Sequence, residues 1–318
     1  MRQKWIAGLV VVLLAVAGFV IFQPSGAIRG TIAGEAFLNG HPSSYWGQQL
    51  TGGPEQQANA RTTLEESGEA AVGVLCDLLS DHPDSEVRVA AAELLGKLGP
   101  QASDASQELL AAIGDRDPHV RAVAIVAVPA VNTSPEKAVA ALIPLLESEH
   151  AAIAARAISV YREQGQLALP ALEKLMRDDS KEIEMRWNAA RALGKLGPSG
   201  IDSLPALIEF TTHAEETLRE HAAEAIGDIG PTATAGIPAL RECLDDSARK
   251  VRRDAVRSLG YIGEAAKDAV PDILPLLNDP EEIVRVAALD ALKKIAPDQV
   301  PPETQESEKA ATPEKPSA

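Results

Sequence analysis

The sequence predicts an all-α fold: an α-solenoid of stacked helical hairpins, about eight repeats long, preceded by one transmembrane helix. Three observations lead there. The stretch EVRVAAAELLGKLGP (Glu86 to Pro100) returns as EMRWNAARALGKLGP (Glu184 to Pro198), 98 positions on and close to three times 33. Near the N-terminus, WIAGLVVVLLAVAGFVIF runs from 5 to 22 without a charge. Aromatic residues make up only 3% of the chain and alanine is abundant, which suits close-packed short helices and not a sheet or a bulky cofactor pocket.

Taken from the N-terminus, residues 1–4 form a cytoplasmic stub. The run 5–22 spans roughly 27 Å as a helix, about one hydrocarbon core, and reads as a signal-anchor. Arg2 and Lys4 precede it, so the N-terminus is expected in the cytoplasm and the bulk on the periplasmic or extracytoplasmic side. A small-x-small site at Ser25 to Ala27 keeps a cleaved signal peptide, and hence a secreted protein, as the alternative. Residues 23–42, with their glycines and prolines, read as a flexible linker. The repeats fill 43–297, and the Pro-, Glu- and Lys-rich 298–318 reads as a disordered tail.

Within 43–297 one arginine marks each repeat: Arg88, Arg121, Arg156, Arg186, Arg219, Arg252 and Arg285, at gaps of 33, 35, 30, 33, 33 and 33. Three residues on stand Ala91, Ala124, Ser159, Ala189, Ala222, Ala255 and Ala288, small enough to let helices approach closely. Seven on stand Leu95, Val128, Glu163, Leu193, Ile226, Leu259 and Leu292, the expected core. Eleven on stand Gly99, Gly197, Gly230 and Gly263, each expected to end its helix in a left-handed cap. Each unit parses into two helices, for example 268–279 and 281–295, and a lone pair has no way to bury its apolar face without neighbours.

The patterns VRxxAxxALGxLGP and xxPALxxLLxD resemble HEAT repeats, most closely the bacterial HEAT-like type also found in phycobilisome lyases, over about residues 42–297. NGHPSSYWGQQL (39–50) resembles the Trp-containing leader of membrane-anchored bacterial HEAT proteins, with Tyr45, Trp46 and Leu50 as an N-terminal cap. The resemblance implies that each arginine bonds the Asp or carbonyls of the preceding turn, with Asp117, Asp179, Asp246 and Asp279 so placed. It also implies that the second helices line a concave face. Departures fall at Gln57, where the first repeat lacks its arginine, at Pro129 inside the third repeat's second helix, and at Glu163 in the fourth. The array is expected to bend or shift register there.

A net charge of −16 opposes the basic stripe that nucleic acid requires, so no nucleic-acid partner is expected. Cys76 and Cys243 lie in apolar helical runs and read as small buried hydrophobes. The six histidines form no His-Glu pair, such as the related di-iron hydroxylase uses, and no HExxH; no Gly-rich phosphate loop or GxSxG occurs either. The sequence therefore predicts no enzyme, no metal and no cofactor.

What is left is surface. Offsets +1, +2, +5 and +9 from each arginine are expected to point outward, giving Val126, Tyr161, Trp187, Asn188, Arg191, His221, Glu224, Arg253, Arg257 and Tyr261 as a partner-binding set. Trp, Tyr and Arg carry interface hot spots, although the preferred reading of Trp187 and Tyr161 is as filler for the irregular joint between repeats four and five. The functional expectation is a membrane-tethered scaffold holding a protein partner on its concave face. An enzyme of the phycobilisome-lyase kind is the competing reading, and export disfavours it because such a lyase handles a soluble cytoplasmic substrate.

Overall fold

Proline opens and glycine closes several of the helices, as at Pro118, Gly99, Gly230 and Gly263. The structure, a computed structural model, describes residues 27–300. The anchor run 5–22 and the tail from 301 lie outside the described residues; among the described residues no helix is long and apolar enough to cross a membrane.

The described part of the expected linker is folded, and its own sequence says why. Helix α1 (Ala27–Ala33) leads into strands β1 (Phe37–Leu38) and β2 (His41–Pro42), paired antiparallel as Phe37↔Pro42 and Leu38↔His41. Asn39 (φ 53°) and Gly40 (φ 77°) make the turn, and Asn-Gly is the dipeptide that tolerates positive φ at both positions of a two-residue hairpin. Helix α2 (Ser43–Leu50) follows, with Trp46 and Leu50 buried as the expected cap. The Trp46 indole Nε1 donates to Leu38 O at 3.4 Å.

The chain divides into two compact units at Ala141/Leu142. In the first, α3 (Pro54–Glu66), α5 (Ser85–Leu98) and α7 (Pro118–Ala127) are second helices, with α4 (Val72–Asp81), α6 (Ser106–Ala112) and α8 (Pro135–Leu142) as first helices. In the second unit the second helices are α9 (Ala151–Ser159, continued by α10, Arg162–Gly165), α12 (Ile183–Lys195), α14 (Glu216–Ile229), α16 (Arg249–Ile262) and α18 (Glu282–Ile295). Its first helices are α11 (Leu169–Arg177), α13 (Leu204–Phe210), α15 (Ile237–Glu242) and α17 (Val270–Ile273). Within each unit successive second helices pack directly on one another, so each is an α-solenoid segment. First helices are shorter than expected: 268–279 breaks into the end of a 3₁₀ stretch, α17, and a further 3₁₀ stretch Leu274–Asn278. Pro271 and Pro275 each remove an amide donor there.

Ala91, Ala124, Ala189, Ala222, Ala255 and Ala288 are fully buried, as are Leu95, Val128, Leu193, Ile226, Leu259 and Leu292. The glycine stops differ in one detail. Gly99, Gly230 and Gly263 combine φ of 58°, 93° and 79° with ψ of −130°, −157° and −139°, a region open essentially to glycine alone and not the left-handed helical one. Gly263→Ala should therefore destabilise by about 1–3 kcal/mol in urea titrations, although nothing lies within 4 Å of the added methyl.

The irregular middle repeats break where the sequence departs. Helix α7 stops two residues before Pro129, and Asn132 (φ 56°) takes the positive-φ role of the missing glycine. Helix α9 stops at Ser159 and Arg162 sits at φ 39°, which turns the chain so that Tyr161 points inward and Glu163 is exposed. Glu163 is thus not a core residue. Residues 298–300, expected in the tail, are folded: Val300 is buried after the turn Pro297–Gln299.

The arginine ladder exists with a shifted partner. Arg88, Arg219 and Arg252 each donate to a carbonyl six residues back, His82, His213 and Asp246, at 2.8–2.9 Å. Their second partner is the Asp of the following turn, 27 residues on: Asp115, Asp246 and Asp279, each held by two bonds of 2.7–3.0 Å. Arg186 instead reaches an Asp of its own preceding turn, Asp179 at 2.8 Å. Asp117 instead caps α7 through His119 N. Gln57 stands in for the first arginine by donating to Gly52 O at 2.9 Å.

Candidate functional site

The row α12–α14–α16–α18 is built on small residues. A Cβ at Gly194 would lie 2.4 Å from Ala225 Cα, at Gly227 2.6 Å from Ser258 Cα, and at Gly260 3.0 Å from Ala291 Cα. Each glycine stands eight residues after its arginine and lets the next second helix touch backbone to backbone. The first glycine of LGKLG, IGDIG and LGYIG carried this signal, and the sequence reading used only the second. Ser258 Oγ adds a buried bond to Ala223 O at 2.8 Å.

Packing this close leaves a narrow open stripe. Offsets +1, +5 and +9 lie one above another on it, whereas +2 faces the neighbouring helix. Asn188 is therefore 1% exposed, its amide donating to Glu184 O, and is not a surface residue. Tyr161 is 9% exposed and burial pushes its phenol up to about 12, so it fills the joint. Val126 is exposed in the first unit.

Two groups of the expected residues do come together. Trp187 stacks on His221 with ring centroids 4.6 Å apart, and the Arg191 guanidinium lies 5.9 Å from the indole centroid. His221 Nδ1 is 2.9 Å from Glu224 Oε2, and Arg191 Nε is 3.2 Å from the same oxygen. Burial raises the Glu224 carboxyl, but the bond to His221 and the charge of Arg191 outweigh it and hold the group below the usual carboxylate range. Lys195 Nζ lies 2.8 Å from Asp228 Oδ2, so Arg191 and Lys195 of α12 both face carboxylates of α14.

The second group lies on α16. Arg253 bonds Asp254 (2.6 Å) and reaches across to Glu220 (3.2 Å), so it is not the free outward side chain expected. Arg257 contacts Asp254 and Tyr261 Oη at 3.2 and 3.1 Å. Between α16 and α18 a groove of about 640 Å³ opens beside these residues. Its far wall carries Ile283 and Val286, 42% and 54% exposed, and its floor is Ala287 and Ala291. Tyr261 is 40% exposed at the rim, with Lys294 Nζ 4.6 Å from its ring centroid. Val286 and Lys294, at +1 and +9 from Arg285, were missed because the outward columns were not read into the last repeat, and Ile283, two residues before Arg285, lies on none of those columns.

Elsewhere the chemistry is structural. His82 and His213 accept turn amides, from Asp84 N (3.2 Å) and Glu215 N (3.0 Å). Among the described residues no group of three His, Cys, Asp or Glu side chains is arranged to hold a metal ion. Both cysteines are free, and burial pushes their thiols up to about 12 (Cys76) and about 11 (Cys243).

The family model for HEAT repeats matches residues 48–128, 72–162, 169–259 and 237–307, most of the chain. This protein belongs to the HEAT-repeat family. No curated protein matches this HEAT-repeat chain by sequence. Among solved structures, an engineered protein shares 24% identity at a TM-score of 0.50, over 79% of this chain and 78% of the other. Importin beta shares 18% at a TM-score of 0.56, over 79% of this chain, which spans only 40% of that one. The CpcE and CpcF complex of phycocyanin lyase from Nostoc sp. PCC7120 shares 24% at 0.46, over 75% and 92%. The first two likenesses establish the fold alone, and the third is too distant to argue from.

Proposed function

We propose that this HEAT-repeat protein is a membrane-tethered, non-catalytic scaffold that binds a protein partner in the groove between α16 and α18. The groove carries the reading. Along α12 and α14 the charges of the open stripe already face one another, which leaves a partner little to gain. Between α16 and α18 the stripe instead presents Tyr261, Ile283 and Val286 to solvent, flanked by Arg257 and Lys294. Exposed apolar area beside Arg and Tyr is the composition of an interface hot spot. A fitting partner segment brings apolar side chains onto Ile283 and Val286 and charges of both signs beside them, since the groove is lined by Glu282 and Asp290 as well as Arg257 and Lys294. The tether rests on the run 5–22 and on Arg2 and Lys4, which would place the repeats on the extracytoplasmic side.

A photo-crosslinking residue at Val286, activated in intact membranes, tests this. A discrete adduct is expected that disappears when Arg257→Glu and Tyr261→Ala are added. The same residue at Lys267, exposed on the 3₁₀ stretch Gly263–Ala269, serves as control. Equal adducts at both positions, or none at Val286, would overturn the groove as the docking site.

A further inference from the structure

We infer that the N-terminal collar, α1 with the β1–β2 turn, is a phospholipid-contact surface that seats the first repeat on the bilayer. The inference rests on the membrane tether proposed above and adds a site to it. Chain length supplies the first argument. The apolar run ends at Phe22 and α1 begins at Ala27, five peptide steps that reach at most about 18 Å when fully extended. The headgroup layer on one side of a bilayer is itself roughly 5–8 Å thick, so α1 starts at most about 10–13 Å beyond it.

The collar's surface supplies the second. Ile32, two residues beyond Gly30, is 76% exposed on the side of α1 turned away from Pro42, while the Phe37 ring sits at Gly30 and keeps 38% exposure. Arg29, exposed on α1, adds a cation that suits lipid phosphates. A third observation makes this a platform and not a loose tether. Gly30 packs so tightly on Pro42 that a Cβ there would lie 2.4 Å from the proline Cβ. Ala36 N donates to Asp77 on α4 at 2.6 Å, and Ser43 N donates to Ala36 O at 2.9 Å. The Glu35 carboxylate accepts from Ser44 N at 2.7 Å and Ser43 Oγ at 3.1 Å at the start of α2. Whatever orientation the collar takes on the bilayer is thereby passed to the first repeat.

The test uses the full chain in vesicles of phosphatidylethanolamine and phosphatidylglycerol carrying a doxyl quencher at the upper acyl chain. A fluorophore is placed on Thr31→Cys, exposed beside Ile32, and in a second preparation on Gln107→Cys, exposed on α6. Cys76→Ala and Cys243→Ala are made in both preparations, so that only the introduced thiol carries the fluorophore. Quenching at position 31 is expected to exceed that at 107 several-fold, and Ile32→Asp should bring it down toward the control. Equal quenching at 31 and 107, or quenching that Ile32→Asp leaves unchanged, in protein that stays with the vesicles through an alkaline carbonate wash, overturns the lipid surface and leaves the tether standing. Protein lost in that wash overturns the tether and this surface with it.

Discussion

Leu259→Ala is expected to lower the free energy of unfolding by about 2–5 kcal/mol, the range for a large-to-small change at a fully buried site. Leu259 is 0% exposed on α16, between α14 and α18, with Gly227 and Gly260 holding those helices at backbone contact. Close contact on both sides limits how far the site can collapse, and a cavity that stays open places the cost toward the upper end. Because each repeat is stabilised mainly by its neighbours, amide exchange should accelerate in α14 and α18 as well as in α16. Acceleration confined to α16 would contradict the stacking.

Arg252→Ala should cost about 3 kcal/mol, the low end of the range for breaking a buried pair, because the arginine side chain keeps 13% exposure. Asp279, 5% exposed at its side chain, would lose both its bonds to the guanidinium, and the carbonyl of Asp246 would lose its 2.8 Å donor. The effect has a pH signature. Burial raises the Asp279 carboxyl, but the bonds to Arg252 and Glu281 N outweigh it and depress the folded pKa. A depressed carboxylate contributes stability that is fully present above the unfolded value of about 3.9 and is lost as pH falls through the lower folded value. The gap between the native protein and Arg252→Ala in urea titrations should therefore be widest near neutral pH and narrow below about pH 4. A gap independent of pH would mean the arginine acts through packing alone.

The regular repeats were legible because one physical demand recurs at one spacing. The buried Ala column, the buried Leu column and the glycine stops each follow from helices that must stack closely, and Gly99, Gly230 and Gly263 show the demand in their backbone angles. Legibility failed where the period failed. Tyr161 and Glu163 exchange places because α9 ends at Ser159, a break that composition alone does not locate. The ladder's direction was hidden too, since an Asp at a turn is equally placed in sequence for the arginine before it and the one after. Asn188 was misplaced by treating a second helix as having one neighbour when the row gives it two. The collar was misread for its glycines, although Asn39-Gly40 signalled a hairpin.

Equilibrium binding of the partner captured through Val286, measured on Tyr261→Ala and on Trp187→Ala alongside their melting temperatures, bears most directly on the account. Tyr261 lies open at the groove, so its loss should weaken Kd by about tenfold or more with the melting temperature nearly unchanged. Trp187 is stacked on His221, which pairs with Glu224, so its loss should lower the melting temperature and leave Kd alone. The opposite pattern, with binding lost at Trp187 and intact at Tyr261, would contradict the groove and return the site to α12 and α14.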